Sequence, residues 1–301
     1  KVKVSSVLAD VRDRRRIMDL MLDVRPELVF HAAALKHVPL VENNPTEGVL
    51  TNAVGTRNVA DAARTAGAAA VVLISTDKAI NPTSVMGATK RIAEAYCQAL
   101  DIVPPQDGKA AATRFMTVRF GNVLGSSGSV VPLFQRQLAN GGPITVTHPD
   151  MRRYFMTVRE AVELVLQASA HGWNNRAERG KIFVLDMGEP IRIVDLARQM
   201  IRLAGLKPDQ DIQIEFTGPR PGEKLFEEIL SPSETPTRTD ADGILLASPR
   251  IIDFALLSRA MGELERAATE GDVEKVLKII GNLVPDFTRF TPDQQASSSG
   301  L

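Results

Sequence analysis

The sequence predicts an α/β fold: a doubly wound, mostly parallel sheet with a smaller α/β lobe for a ligand. Two observations carry that expectation. Across the first half, short β-rich runs alternate with stretches of helical periodicity, the order produced by right-handed crossover units. The strand candidates are also continuous apolar runs, such as "AVVLIS" at 70–75, rather than alternating ones. Strands covered by helices on both faces read that way. With 301 residues the chain can bury a full core, arranged as one large domain or two lobes.

Taken in order, the strand candidates are Val2–Leu8, Leu28–His31, Ala70–Ser75 and Phe115–Phe120, and the helices between them are Arg14–Asp23, Glu47–Thr65 and Val85–Leu100. After "GNVLGSSGS" the pattern loosens. A helix over Val131–Ala139 leads to the short strand "ITVT" and then to a helix at Thr157–Ala170. Residues 171–180, "HGWNNRAERG", read as an exposed loop. The strand "KIFVLDMG", the helix Ile193–Ala204, the strand "IQIEFTG" and a helix in "GEKLFEEIL" follow. Residues 231–243, rich in Pro, Ser, Thr and Asp, read as a linker or long loop. A last amphipathic helix, "DVEKVLKIIGNLV", precedes the polar tail 291–301, expected to be disordered. The division this suggests is a sheet domain over 1–121 and 146–187, a substrate lobe over 122–145 and 188–230, and a C-terminal extension over 231–290.

Composition narrows the function. Formal net charge is zero, so no electrostatic footprint favours nucleic acid or an anionic membrane. Cys97 is the single cysteine, which excludes an internal disulfide framework and suits a reducing cytoplasm. Its place in a helical pattern marks a structural thiol. His31, His37, His148 and His171 are spaced without a metal-ligand pattern, and no Gly-x-Ser-x-Gly elbow supports a serine hydrolase. The apolar runs are strand-sized, too short to span a bilayer. A chain that opens directly into "KVKVSSVLADVRD" reads as the middle of a longer one.

In an open α/β sheet, ligands bind beyond the carboxyl ends of the strands. Here four consecutive strand ends carry small or reactive residues: Asp10, "HAAALKH", "STDK" and "GNVLGSSGS". Asp10 can accept hydrogen bonds from an adenosine, or cap the following helix. Ala32, Ala33 and Ala34 are small enough for a flat ligand to approach the backbone, although a tight strand–helix junction has the same letters. Asp77 and Lys78 would join a proton donor to an acceptor if buried together, and would be a solvated turn if exposed. Lys90 lies one helical turn after Met86 on the same face. Gly125 and Gly128 flank two serines in a loop suited to phosphate, or simply to flexibility. "GPRPGEK" sets Arg220 and Glu223 in a rigid frame where arginine can grip a diphosphate bidentately.

Seven ordered segments carry a resemblance: "FHAAALKHVPLVENNP", "TNAVGTRNVADAA", "LISTDKAINPTSVMGATKRIAE", "VRFGNVLGSSGSVVPLF", "THPDMRRYFMTVREAVELVLQA", "IFVLDMGEPIRIVDLA" and "FTGPRPGEKLFEE". Together they resemble the CapD-type polysaccharide-biosynthesis family, nucleotide-sugar 4,6-dehydratases of the extended short-chain dehydrogenase/reductase superfamily, over about Leu8 to Leu230. The resemblance implies a Rossmann-type sheet, NAD or NADP as cofactor, and a UDP-sugar substrate, UDP-N-acetylglucosamine, converted to a 4-keto-6-deoxy product. It implies catalytic roles for Asp77 as acid at the C6 hydroxyl, Lys78 as base at C5, Thr76 as hydroxyl partner and Lys90 as a ribose-binding lysine. Cofactor contacts would fall on Asp10, Val11, Ala32, Ala33, Ala34, Asn52 and Lys90, and the UDP-sugar on Lys36, His37, Asn122, Ser126, Val131, Arg220 and Glu223. A homo-oligomer is also implied, and a parent chain anchored at the cytoplasmic face of the inner membrane.

The chain departs from the superfamily pattern twice. Met86 occupies the place of the proton-carrying tyrosine, and a thioether cannot carry that proton. A subgroup of long, membrane-anchored 4,6-dehydratases shares the methionine and resembles enzymes that retain configuration at C5. Second, no glycine-rich turn for the pyrophosphate occurs in the sequence, which marks a fragment. The rival readings are a nucleotide-sugar epimerase, which has no water to eliminate and no need of the Asp77–Lys78 pair, and a non-catalytic remnant.

Overall fold

The computed structural model describes residues 2–103, 113–231, 234 and 236–289. Its main sheet has six strands in the spatial order Leu28–His31, Ala70–Thr76, Arg114–Phe120, Ile182–Leu185, Ile244–Ala247 and Thr237–Arg238. The first four run parallel, with Ala70 in register with Leu28 on one side and Arg114 on the other. The last two pair antiparallel at the far edge. The α/β, Rossmann-type class expected from the apolar runs is the observed one.

Alternation along the strands divides the core. Val71, Leu73 and Phe115 face the helices Gly55–Thr65, Val85–Ile102, Phe254–Thr269 and Val273–Leu283. Val72, Met116, Val118, Phe183 and Leu185 face Ala161, Val165 and Ala168 of the helix Val158–Asn174. A separate apolar cluster, Phe134, Ile144, Val146, Ile193, Ala197, Ile201 and Ile212, holds the lobe. There Ile144–Val146 pairs in parallel with Ile214–Phe216 under the helices Val130–Ala139 and Ile193–Leu203.

The helix Val85–Ile102 is the spine between sheet and site. Ser84 caps it by accepting from the Gly87 amide at 3.1 Å. Nearly all its side chains are buried, including charged ones, and each charge has a partner. Glu94 accepts from Arg119 at 2.7 and 2.8 Å, and Arg119 also donates to Glu234 at 3.0 Å. Asp101 pairs with Arg114 and accepts from the Phe115 amide. Gly87 sits where a Cβ would run into the Lys78 carbonyl, so only glycine lets this helix start against the turn that carries Lys78.

Several expectations need correction. Val2–Leu8 forms no strand: Val2, Val4 and Leu8 stand in solvent without a ladder partner among the described residues. β-propensity needs cross-strand pairing and a buried face to become a strand. The segment 222–230 is turns, not a helix, because its carbonyls are taken from outside. Lys224 O and Leu225 O accept from the Arg153 guanidinium at 2.8 and 3.2 Å, and Leu225 O also from the Arg152 amide. The expected loop 171–180 begins as helix, which runs on to Asn174 while His171 is held by Glu178 at 2.9 Å. The expected helix Glu47–Thr65 is helical throughout, from Pro45, and differs in a π-helical stretch, Val49–Val54, between Pro45–Gly48 and Gly55–Thr65. The helix Phe254–Thr269, capped by Asp253, was not anticipated, and neither was Ile244–Ala247, which brings the C-terminal extension into the main sheet. The tail 291–301 lies outside the described residues. Among the described residues no helix is long and apolar enough to cross a membrane.

Candidate active site

The carboxyl ends of the three parallel strands from Leu28–His31 to Arg114–Phe120 open into a cleft of about 350 Å³. It brings together Ala32, Ala34, Lys36, His37, Thr76, Lys78, Met86, Lys90, Asn122 and Ser126, drawn from segments far apart in sequence. A second, smaller hollow of about 120 Å³ holds Lys78, Arg153, Arg220, Glu223, Lys224 and Glu227. Lys78 belongs to both. Asp10, Val11 and Ala33 line a third, shallow hollow near the chain's start.

The strand Ala70–Thr76 ends in a single tight turn, Asp77–Ala79, that turns Asp77 inward. Asp77 is buried, and its Oδ1 accepts from Thr76 Oγ1 and from Lys78 Nζ, both at 2.8 Å. Its Oδ2 is buried with no hydrogen-bond partner. Gly121 lies over that oxygen, where a Cβ would crowd Asp77 Oδ2 at 3.1 Å and Tyr154 at 3.0 Å. Lys78 also donates to Asn122 Oδ1 at 3.2 Å. Burial works against the Lys78 charge, but Asp77 and then Glu227 outweigh it and hold the ammonium above the ordinary lysine range.

Lys90 is in the opposite situation. Its Nζ donates to the Ile74 carbonyl at 2.6 Å, and burial beside Met86 pushes its pKa down to about 8. Asn52, from the π-helical stretch, does not point a free amide into the cleft. It is tied to the Leu35 amide at 2.7 Å, the Leu35 carbonyl at 3.0 Å and Thr89 at 3.1 Å. Asn52 thereby shapes the "HAAALKH" turn that floors the cleft. Gly128, with φ +67°, closes the rim: any Cβ there would meet the His37 ring. Val131 is half-buried in the first turn of the helix Val130–Ala139. Asp10 is exposed and gripped by Arg12, whose hydrogen bonds hold its carboxyl below the usual range. Cys97 is buried away from the cleft, and burial pushes its thiol up to about 12.

Three charged residues of the second hollow, Arg153, Lys224 and Glu227, are not among the residues singled out from the sequence. Arg153 Nε lies 3.7 Å, and Lys78 Nζ 3.9 Å, from Glu227 Oε1. Glu227 was hidden inside a stretch that reads as a helix, and Arg153 inside "MRRYF". An acid pair after "GEK" was the available signal.

With this geometry in view, comparison with known proteins becomes informative. The model of a family described as polysaccharide biosynthesis protein matches residues 1–249. This chain belongs to that family. It is 54% identical over 234 residues to the capsular polysaccharide biosynthesis protein CapD of Staphylococcus aureus, covering 78% of this chain but 37% of that protein. The chain thus spans little more than a third of that relative. It is also 36% identical over 242 residues to a UDP-glucose 4-epimerase of Rickettsia akari, covering 80% of this chain and 66% of that protein. Among solved structures, Pen from Bacillus thuringiensis superposes with a TM-score of 0.69 at 36% identity, over 81% of this chain and 72% of that one. The chain is accordingly a member of the polysaccharide biosynthesis family, with a fold shared with Pen.

Proposed function

We propose that the chain carries the reaction centre of a nucleotide-sugar 4,6-dehydratase that turns UDP-N-acetylglucosamine into a 4-keto-6-deoxy sugar with retention at C5. The observation that carries the reading is the Asp77–Lys78 contact of 2.8 Å at a strand end, with Asp77 buried behind it and Lys78 facing both hollows. An epimerase eliminates nothing and has no use for an acid and a base side by side. A UDP-glucose 4-epimerase among the relatives makes epimerisation the reading to be beaten.

The cleft suits the nicotinamide half of a dinucleotide: Ala32 and Ala34 leave its floor open, and Lys90 stands within it with a raised readiness to lose its proton. Ala32, Ala34, Met86 and Lys90 would hold the nicotinamide riboside, and Asp10, Val11 and Ala33 the adenosine. Bound there, NAD or NADP supplies a hydride acceptor for C4 and the same hydride for C6. The chain's own residues handle the protons. Thr76 Oγ1 already donates to Asp77 Oδ1, so a proton leaving the C4 hydroxyl has a path through Thr76 to Asp77. Asp77 then passes that proton to the C6 hydroxyl, which departs as water. Lys78, as the free amine, takes the C5 proton and returns it to the same face. Arg220, with Lys224 near it, stands ready to grip the diphosphate. Met86 takes no proton and serves to keep Lys90 dry.

The test is mass spectrometry on the full-length protein that contains this sequence, incubated with UDP-N-acetylglucosamine and NAD or NADP. The expected product is lighter by one water, with no net reduction of cofactor. A product of unchanged mass and inverted C4 would transfer the protein to the epimerases.

A further inference from the structure

A base at Lys78 must be a neutral amine, and the second hollow contains a group that opposes this. Glu227 is buried, 8% exposed, and reaches the Lys78 ammonium from the turn segment 222–230. Its Oε1 lies 3.9 Å from Lys78 Nζ and 3.7 Å from Arg153 Nε, while Oε2 has no hydrogen-bond partner. We propose that Glu227 is a positioning residue for Lys78, whose carboxylate draws the ammonium toward the second hollow and sets how much of it is neutral at a given pH. The proposal rests on Lys78 being the base of the dehydration.

The geometry supports it in three ways. Among the described residues Lys78 Nζ makes two hydrogen bonds, to Asp77 at 2.8 Å and to Asn122 at 3.2 Å, so an ammonium with three donors retains one direction for Glu227. Asp77, Lys78, Arg153 and Lys224 act on Glu227, and Asp77, Glu227 and Arg153 act on Lys78, with Arg220 and Glu223 lining the same hollow. Arg153 is itself shared, since it also reaches Glu223 at 3.5 Å and donates to the Lys224 carbonyl at 2.8 Å. Glu227 is therefore not committed to Arg153 alone. Burial holds the Glu227 carboxyl above the usual range, and Lys78 pulls it back. Finally, the backbone that presents Glu227 is fastened by Arg153 and by Lys224, whose Nζ donates to the Ile80 carbonyl at 2.9 Å, next to the Asp77–Ala79 turn. The segment after "GEK" is thus tied to the turn that bears Lys78.

The experiment needs neither substrate nor cofactor. The Lys78 side chain is 21% exposed, so a small acylating reagent reaches it. Pulsed acetylation of the 301-residue chain between pH 7 and 11, read on the peptide containing Lys78 by mass spectrometry, follows the fraction of free amine. Glu227→Gln keeps the size and one acceptor oxygen and removes the charge. Roughly a tenfold faster labelling at pH 8 is expected, as for a drop of about one pKa unit, with Glu227→Asp falling between the variant and the parent. Lys224, which Glu227 touches less closely, should label with a nearly unchanged profile. Unchanged Lys78 labelling in Glu227→Gln, with circular dichroism like the parent's, overturns the proposal and leaves Glu227 a partner of Arg153. If Glu227→Gln unfolds, an unshifted profile in Glu227→Asp overturns it equally. A shifted profile in a protein that nonetheless yields the C4 epimer would keep the Glu227–Lys78 coupling and remove the dehydratase reading. The two failures are distinguishable.

Discussion

Two lysines stand in one cleft under opposite fields. Lys78 is ringed by Asp77 at 2.8 Å and Glu227 at 3.9 Å, and is held charged. Lys90, from the helix that packs beneath, has a backbone carbonyl and the Met86 side for company and is pushed toward neutrality at about 8. Both are lysines lining one cleft, Lys78 in the turn after the strand Ala70–Thr76 and Lys90 near the start of the helix Val85–Ile102, so residue type explains nothing of the difference. What differs is which effect wins: burial opposes both charges, but Asp77 and Glu227 outweigh it at Lys78, while Glu94 does not outweigh it at Lys90. The comparison teaches that this cleft assigns proton work by surroundings, and each prediction below tests one side of it.

The largest effect is expected at Lys78. In the full-length protein, Lys78→Ala should cut dehydration about 10²- to 10⁴-fold, the range contributed by a positioned general base. Binding of the UDP-sugar, followed by calorimetry, should change little, because Arg220, Asn122 and Ser126 remain. Near-normal turnover would make Lys78 the solvated turn residue that its sequence context equally allows.

Arg119 tests the contrast in the core, where charges are fully paired. It is buried, donates to Glu94 and Glu234, and ties residue 234 to the spine helix. Arg119→Met strands two buried carboxylates, and loss of about 3–5 kcal/mol is expected from breaking such a network. Urea unfolding of the chain measures it. A loss below about 1 kcal/mol would show these carboxylates protonating or reaching water at small cost, as surface pairs do.

Lys90 gives a smaller effect with a definite sign. Its folded pKa lies below the ordinary 10.5, so the unfolded chain holds a proton that the folded chain releases between about 8 and 10.5. Stability contributed by Lys90 is therefore lowest below pH 8 and rises with pH through that window. Lys90→Met lacks the term. Between pH 7 and 9 the parent should gain roughly 1 kcal/mol over the variant, one pKa unit being about 1.4 kcal/mol. Paired urea midpoints at the two pH values decide it; parallel changes would mean Lys90 keeps its proton in the fold.

These contrasts mark how far the sequence could be read. The sheet was legible because its strands are unbroken apolar runs that no other element type would bury, and "STDK" and "VMGATK" identified the residues that meet in the cleft. The charge state of Lys78 was not legible, since it depends on Glu227, contributed by a segment with helical letters whose carbonyls are claimed by Arg153. Long-range hydrogen bonds overrode local propensity there. Val2–Leu8 failed for the converse reason: it has the letters of a strand and no ladder among the described residues. Asn52 was not legible in another respect: its hydrogen bonds to Leu35 and Thr89, which join segments far apart in sequence, have no signal in local pattern.

The smallest effect is expected at Met86, and it sharpens the Lys90 side. Met86 is 3% exposed, lines the cleft and lies one helical turn before Lys90. If its part is to exclude water from Lys90, another apolar side chain of similar volume will do the same. Met86→Leu should cost under about 1.5 kcal/mol, as volume-conserving core swaps do, and leave the pH-dependent stability difference at Lys90 in place. Turnover of the full-length protein should stay within a few-fold, because no proton passes through a thioether. A hundredfold fall in turnover with stability intact would mean that the sulfur itself touches the reacting groups. In that event the neutral side of the cleft would depend on a specific contact rather than on dryness, and the contrast between the two lysines would need a second cause.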